Sequence, residues 1–150
     1  MRFFLFDKVT AFLPGREATG IKNVSAQEDF LIEHFSRKPF MPAPLILESL
    51  AQLGGWVVTV STEYASLALM VMVKDLRVMG TAVPGDRITL KVVLQTLNDY
   101  GAQVSGSAWV NGSEILSVGT ITYVLYAVPP EERDSLRQRY IRYTDAQGGG

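Results

Sequence analysis

The chain has 150 residues, 47% hydrophobic and 19% charged, which suits one folded domain with a buried core and excludes a disordered segment. Lys plus Arg (14) nearly balance Asp plus Glu (15), so a strongly basic nucleic-acid binder is excluded. With no cysteine and one histidine, disulfides, thiolate nucleophiles and Cys- or His-cluster metal sites are excluded too, and no cofactor is expected.

Residues 3 to 13 are rich in Phe, Leu and Val and stop at Pro14-Gly15, a turn signal. Asp7 and Lys8 interrupt the apolar start before it could serve as a signal-peptide core, and no window holds the ~18 uninterrupted apolar residues of a membrane span. A cytoplasmic protein without membrane contact is therefore expected. Ala18 to Val24 read as a return strand, giving a hairpin. Ser25 to Pro44 is irregular, because Pro39, Pro42 and Pro44 stand too close together for a helix or sheet interior.

From Leu45 to about Thr62 the chain is free of proline and apolar nearly all round, the pattern of a helix enclosed in a core. Pro44 suits its first position, where a missing N–H costs nothing. Gly54 and Gly55 each cost about 1 kcal/mol against alanine in a helix interior; they suit a backbone that approaches a sheet closely. Beyond the helix the period falls to 2. Leu67 to Val73 reads as a strand continuing through Val78, and Pro84-Gly85-Asp86 is a turn. Ile88, Leu90, Val92 and Leu94 then alternate with more polar positions. A turn at Asn98 to Gly101, a strand through Val104, Ala108 and Val110, the type I′ signal Asn111-Gly112 and a last strand from Ile115 to Tyr126 complete the pattern. One long apolar helix needs a curved sheet to cover it, so the expected fold is α+β, an antiparallel sheet wrapped around one buried helix in the hot-dog manner. A single domain over 1–150 follows, with its core at about 3–127. The tail from Pro129 to Tyr143 reads as a short, solvated capping helix, and Gly148 to Gly150 as disordered.

Two residues stand out chemically. His34 lies in an apolar stretch, Phe30-Leu31-Ile32-Glu33-His34-Phe35, where a local hydrogen bond is the commonest role for an isolated histidine. Glu48 falls one turn into the apolar helix, between Leu47 and Leu50, with no evident route to water. A carboxylate buried there must be paired, hydrogen-bonded or protonated. Gln52, one turn further on the same face, is a natural partner. A carboxyl withheld from water is able to donate a proton near neutral pH. The plainer alternative is a glutamate at the helix rim.

The run His34-Phe35-Ser36-Arg37-Lys38-Pro39-Phe40-Met41-Pro42, followed by Leu45-Ile46-Leu47-Glu48-Ser49-Leu50-Ala51-Gln52, resembles the HFPxxPxMPG and LIxEALAQ signatures of the 3-hydroxyacyl-acyl-carrier-protein dehydratases of the FabZ type. Phe4-Leu5-Phe6-Asp7-Lys8-Val9, Ile21-Lys22-Asn23-Val24 and Val83-Pro84-Gly85-Asp86 extend the resemblance over roughly residues 4 to 126. The resemblance implies a hydro-lyase of fatty-acid or polyketide type that forms trans-2-enoyl thioesters, with acyl-carrier protein as partner. It also implies a homodimer or a trimer of dimers whose sites lie between subunits. His34 of one subunit would act as the base at the substrate Cα. Glu48 of the other would help the β-hydroxyl depart as water, at the mouth of an acyl tunnel. Both groups are needed, because the α-proton is only weakly acidic and hydroxide is a poor leaving group. The amide of Ala43, at the family's glycine position, is the candidate donor to the thioester oxygen. Phe35, Met41 and Trp56 are candidates to line the tunnel, although ordinary core packing is the better reading of all three.

Four positions depart from the family pattern: Glu33 precedes the histidine where glycine is usual, Ser36 replaces a proline, and Ala43-Pro44 replaces Gly-Val or similar. Alanine disfavours any positive φ the glycine allowed, and Pro44 has no N–H to offer. These changes leave open an acyl-binding protein of the same fold without turnover. A thioesterase on the same fold gives no reason to keep this histidine loop together with this glutamate.

Overall fold

The computed structural model describes residues 4–26 and 39–148. Six strands form one antiparallel sheet: β1 (Lys8–Leu13), β2 (Glu17–Asn23), β3 (Ser66–Val78), β4 (Arg87–Leu97), β5 (Gly101–Val110) and β6 (Ser113–Ala127), in the order β1-β2-β4-β5-β6-β3. Helix α1 (Ala43–Ser61) lies against one face, and a single 3-10 turn (Pro130–Glu132) leads into α2 (Arg133–Gly148).

Sheet and helix meet because their periodicities agree. Ile88, Leu90 and Val92 of β4, Val104 and Ala108 of β5, and Leu116, Val118 and Ile121 of β6 turn inward and are buried. They enclose Ile46, Leu50, Leu53, Trp56 and Val57 of α1. By length and composition α1 is apolar enough to cross a membrane, but here it is the core of the domain. At full burial a side chain of this kind contributes about 1.5–3 kcal/mol, so the helix alone anchors much of the fold.

The turns form where expected. Asn111 and Gly112 both take positive φ (50° and 81°), as the tight β5–β6 hairpin requires. The Asn98 carboxamide accepts hydrogen bonds from the N–H groups of Tyr100 and Gly101. Two aspartates of the family-like runs have structural roles. Asp7 accepts the Asn23 N–H (2.6 Å), tying the segment before β1 to the end of β2, and Asp86 accepts the Val83 N–H (2.8 Å) across its turn.

Three expectations are corrected. The helix begins at Ala43, with Pro42 as N-cap, so Pro44 takes its second position and not its first. The first N–H groups of a helix have no acceptor within it, so proline fits there as readily as at the first position. Second, the C-terminal helix is more than a solvated cap. Leu136 and Tyr140 are buried in the main core, and the Trp56 indole N–H donates to the Tyr140 carbonyl (3.2 Å). Its polar composition hid the two apolar residues that fasten it. Third, Gly148 is the last residue of that helix.

Candidate active site

Gly54 is where α1 comes closest to the sheet. A Cβ there would collide with the Tyr123 hydroxyl and stand 2.9 Å from Val104 Cγ2, so only glycine fits. The close approach lets Tyr123 of β6 reach across and donate to the Ala51 carbonyl (2.5 Å). Burial pushes the Tyr123 phenol well above its usual pKa, and the negative charge of Glu48 pushes it the same way, against a hydrogen bond from the Gly55 backbone. Tyr123 is therefore a neutral phenol at physiological pH. Gly55 is different: a Cβ there would meet Tyr123 Cε1 at 3.8 Å and Ala68 Cβ at 3.9 Å, ordinary contacts bordering open space.

That space is a cavity of about 240 Å³ between α1 and the edge strand β3. Glu48, Ala51, Gln52 and Gly55 line one side, at the i, i+3, i+4, i+7 spacing of a single helix face. Ala68, Leu69 and Met70 of β3 line another side. Tyr123, Phe4 and Tyr140 complete it. Its wall is mostly apolar with a few polar groups at one end, the usual character of a small-molecule site. A larger and more open cleft of about 570 Å³ lies at the other end of α1, beside Val60, Tyr64 and Arg137. Val60 stands about 18 Å along the helix from Glu48, so this cleft is separate from the carboxyl.

Glu48 is half-buried at the cavity and not sealed from water as expected, because its helix face looks toward the open side of the sheet at β3. Gln52 holds it in place: the Gln52 Nε2 donates to Glu48 Oε1 (3.1 Å), while its Oε1 accepts the Leu5 N–H (2.5 Å). The backbone N–H can only donate, which fixes the orientation of the Gln52 amide and turns its NH₂ toward the carboxyl. The expected i, i+4 partnership is thus present.

Ala43 is the first residue of α1, half-buried, with no φ strain. Its N–H has no acceptor within the helix, whereas the N–H groups of Leu45 and Ile46 bond to the Pro42 carbonyl. No acidic side chain stands in the first turn to offset the positive end of the helix dipole. Met41 and Trp56 take the core-packing role. Met41 is enclosed in the core, bridging to Ala82 through its backbone, and Trp56 is 2% exposed with its ring edge-on to Phe12; neither lines the cavity. His34, Phe35, Glu33 and Ser36 lie outside the described residues. The cavity residues that sequence reasoning passed over are Tyr123, Met70 and Tyr140. Tyr123 was legible only as a strand residue, and nothing in the local pattern tied it to Glu48.

Residues 1–119 match the model of the FabA-like domain. The chain belongs to this family. Among curated relatives, the 3-hydroxyacyl-[acyl-carrier-protein] dehydratase FabZ of Clostridioides difficile is 35% identical over 124 residues, covering 82% of this chain and 87% of the relative. The enzyme of the same name from Geobacillus thermodenitrificans is 38% identical over 111 residues, 73% and 77% of the two chains. Among solved structures, a Streptococcus mutans protein bound to acetyl CoA superposes with a TM-score of 0.65 at 16% identity, over 85% of this chain and 93% of that one. Zebra fish thioesterase superfamily member 2 superposes with a TM-score of 0.63, also at 16% identity, over 79% and 80%. At such identities these two likenesses establish the hot-dog fold alone.

Proposed function

We propose that the protein is a hydro-lyase that removes water from 3-hydroxyacyl thioesters to give trans-2-enoyl thioesters. The observation that carries this reading is the Glu48 carboxyl, fixed by Gln52 at an apolar cavity, on a chain of the FabA-like family. His34 takes the Cα proton, the C3–O bond breaks, and Glu48 supplies the proton with which the hydroxyl leaves as water. Gln52 donates to Oε1, so the other carboxyl oxygen is the one left to face the departing hydroxyl. The negative charge that develops on the thioester oxygen faces the Ala43 N–H at the uncompensated N-terminus of α1. Acyl-carrier protein is the carrier, in fatty-acid or polyketide synthesis, and the single domain works in the cytoplasm without nucleic acid or membrane.

The same proposal places a second copy of the chain along β3. This edge strand exposes Leu67, Leu69, Val71, Met72, Leu76 and Val78, with Leu69 at 52% and Val71 at 53%. A long apolar edge left open to water invites pairing and is normally covered. The Glu48 cavity opens beside that edge, so a subunit docked there stands over the carboxyl, and the reading takes its histidine, His34, from that second subunit. The assembly is then a homodimer or a trimer of dimers with sites between subunits.

Incubation with a 3-hydroxyacyl thioester, and separately with its trans-2-enoyl product, tests the reaction. Interconversion is the expected result; release of free thiol indicates a thioesterase, and binding without either indicates an acyl-binding protein. His34→Ala and Glu48→Ala should each slow interconversion at least ~100-fold while the fold persists. Undiminished turnover in either variant removes that residue from the chemistry.

A further inference from the structure

The cavity beside Glu48 is closed by a residue from outside the family domain. The match to the FabA-like domain ends at residue 119, and α2 follows at Arg133–Gly148. Tyr140 of α2 nevertheless lines the cavity, at 5% exposure. Its ring meets Phe4 edge-on (5.3 Å) and Tyr64 edge-on (5.9 Å), and its carbonyl accepts the Trp56 indole N–H. It is thus fastened from three sides, and burial raises its phenol pKa. The Trp56 bond fastens Tyr140 to the second half of α1, whereas Glu48 is in the first half.

We infer that Tyr140, backed by Phe4, is the end wall of the acyl-binding cavity and limits the enzyme to short and medium acyl chains. The inference rests on the dehydratase reading for the identity of the ligand. From Glu48 to Gly55 the helix rises about 10 Å. At about 1.25 Å per carbon along an extended zigzag, that length holds about eight carbons past the reacting centre, a substrate of about ten carbons. Among the described residues, a sixteen-carbon chain running along α1 from Glu48 would meet Tyr140. The stacking of Phe4 on Phe6 (4.8 Å) and the Phe4 contact with Tyr143 (4.9 Å) brace the wall from behind. A rigid, fully packed wall discriminates by chain length, because each methylene without a place is worth about tenfold or more.

Two readouts separate this inference from the reading beneath it. Turnover of four-, ten- and sixteen-carbon 3-hydroxyacyl thioesters reports the chemistry, and calorimetric binding of decanoyl and hexadecanoyl thioesters, inert to dehydration, reports the wall. The wild type should turn over and bind the ten-carbon compounds and discriminate against the sixteen-carbon ones. Tyr140→Ala should raise the sixteen- to ten-carbon ratio at least about tenfold in both readouts. Gly55→Ala, which places a methyl in the cavity without a clash, should lower the ratio of ten- to four-carbon turnover by about threefold or more; it also serves if Tyr140→Ala does not fold by circular dichroism. Absence of turnover at every length with the binding ratios as stated overturns the dehydratase reading and keeps the wall. Wild-type binding that is indifferent to length, or ratios unmoved by a folded Tyr140→Ala and by Gly55→Ala, overturns the wall.

Discussion

Adjacent glycines in α1 should respond to alanine with opposite signs. In a helix interior, replacing glycine by alanine gains about 0.5–1 kcal/mol from backbone entropy. Gly55→Ala should keep this gain, since its new methyl meets nothing closer than 3.8 Å. Gly54→Ala should lose it. The methyl would overlap the Tyr123 hydroxyl and press Val104 Cγ2 at 2.9 Å, an overpacking that costs about 1–3 kcal/mol. If Tyr123 withdraws to make room, its hydroxyl gives up the Ala51 carbonyl, and a buried polar group left unmatched costs a similar about 1–3 kcal/mol. Set against the helix gain, the net loss is about 0.5–2 kcal/mol. In a chain of 150 residues a change of 1 kcal/mol moves Tm by about 2–4 °C, so Gly54→Ala should melt about 1–8 °C below the wild type and Gly55→Ala up to about 4 °C above it. Thermal melts of the three proteins at one concentration measure both, with concentration fixed because association shifts Tm. Equal shifts in the two variants, or a Gly54→Ala protein as stable as the wild type, would refute the close approach of helix and sheet.

Two further outcomes follow from the core and the edge strand. The phenol of Tyr123 is held above its ordinary value of 10.0 by burial and the Glu48 charge, so the folded state favours the neutral form. That contribution is complete below pH 10 and declines as pH rises above it, by up to about 1.4 kcal/mol per pH unit. Stability should therefore fall steeply in alkali above about pH 10, and Tyr123→Phe should flatten the fall in denaturant titrations; an unchanged slope would contradict the assignment. On the sheet edge, Val71→Lys should shift the protein toward monomer in light scattering, because β3 would then carry a charge into its proposed seam; a variant with unaltered mass places the subunit contact elsewhere.

Much of the fold was legible because local signals agreed with the global pattern. The period of 2 from Ile88 to Leu94 and the Asn111-Gly112 turn marked strands and hairpin, and the proline-free apolar run marked the buried helix. The helix start was displaced by one residue, from Pro44 to Ala43, because proline is equally at ease at the first and second positions. At the site, the i, i+4 spacing of Glu48 and Gln52 gave their contact directly. Tyr123 and Tyr140 were not legible. They reach the cavity through sheet register and through the docking of a distant helix, and neither leaves a mark on the neighbouring sequence. Met41 and Trp56 were drawn toward the tunnel by their size and apolarity, which serve a core equally well. The polarity of α2 masked its packing for the same reason in reverse, since Leu136 and Tyr140 are few among charged neighbours.

The central claim is that an imidazole from one subunit and a carboxyl from the next make one site, and subunit mixing tests it most directly. His34→Ala and Glu48→Ala proteins, each inactive alone, are dissociated together, reassociated and assayed for interconversion of 3-hydroxyacyl and enoyl thioesters. Random pairing makes half the dimers mixed, each with one intact site of two, so activity should return to about a quarter of the wild type. A mixture as inactive as its components would show that the two groups do not meet across the seam.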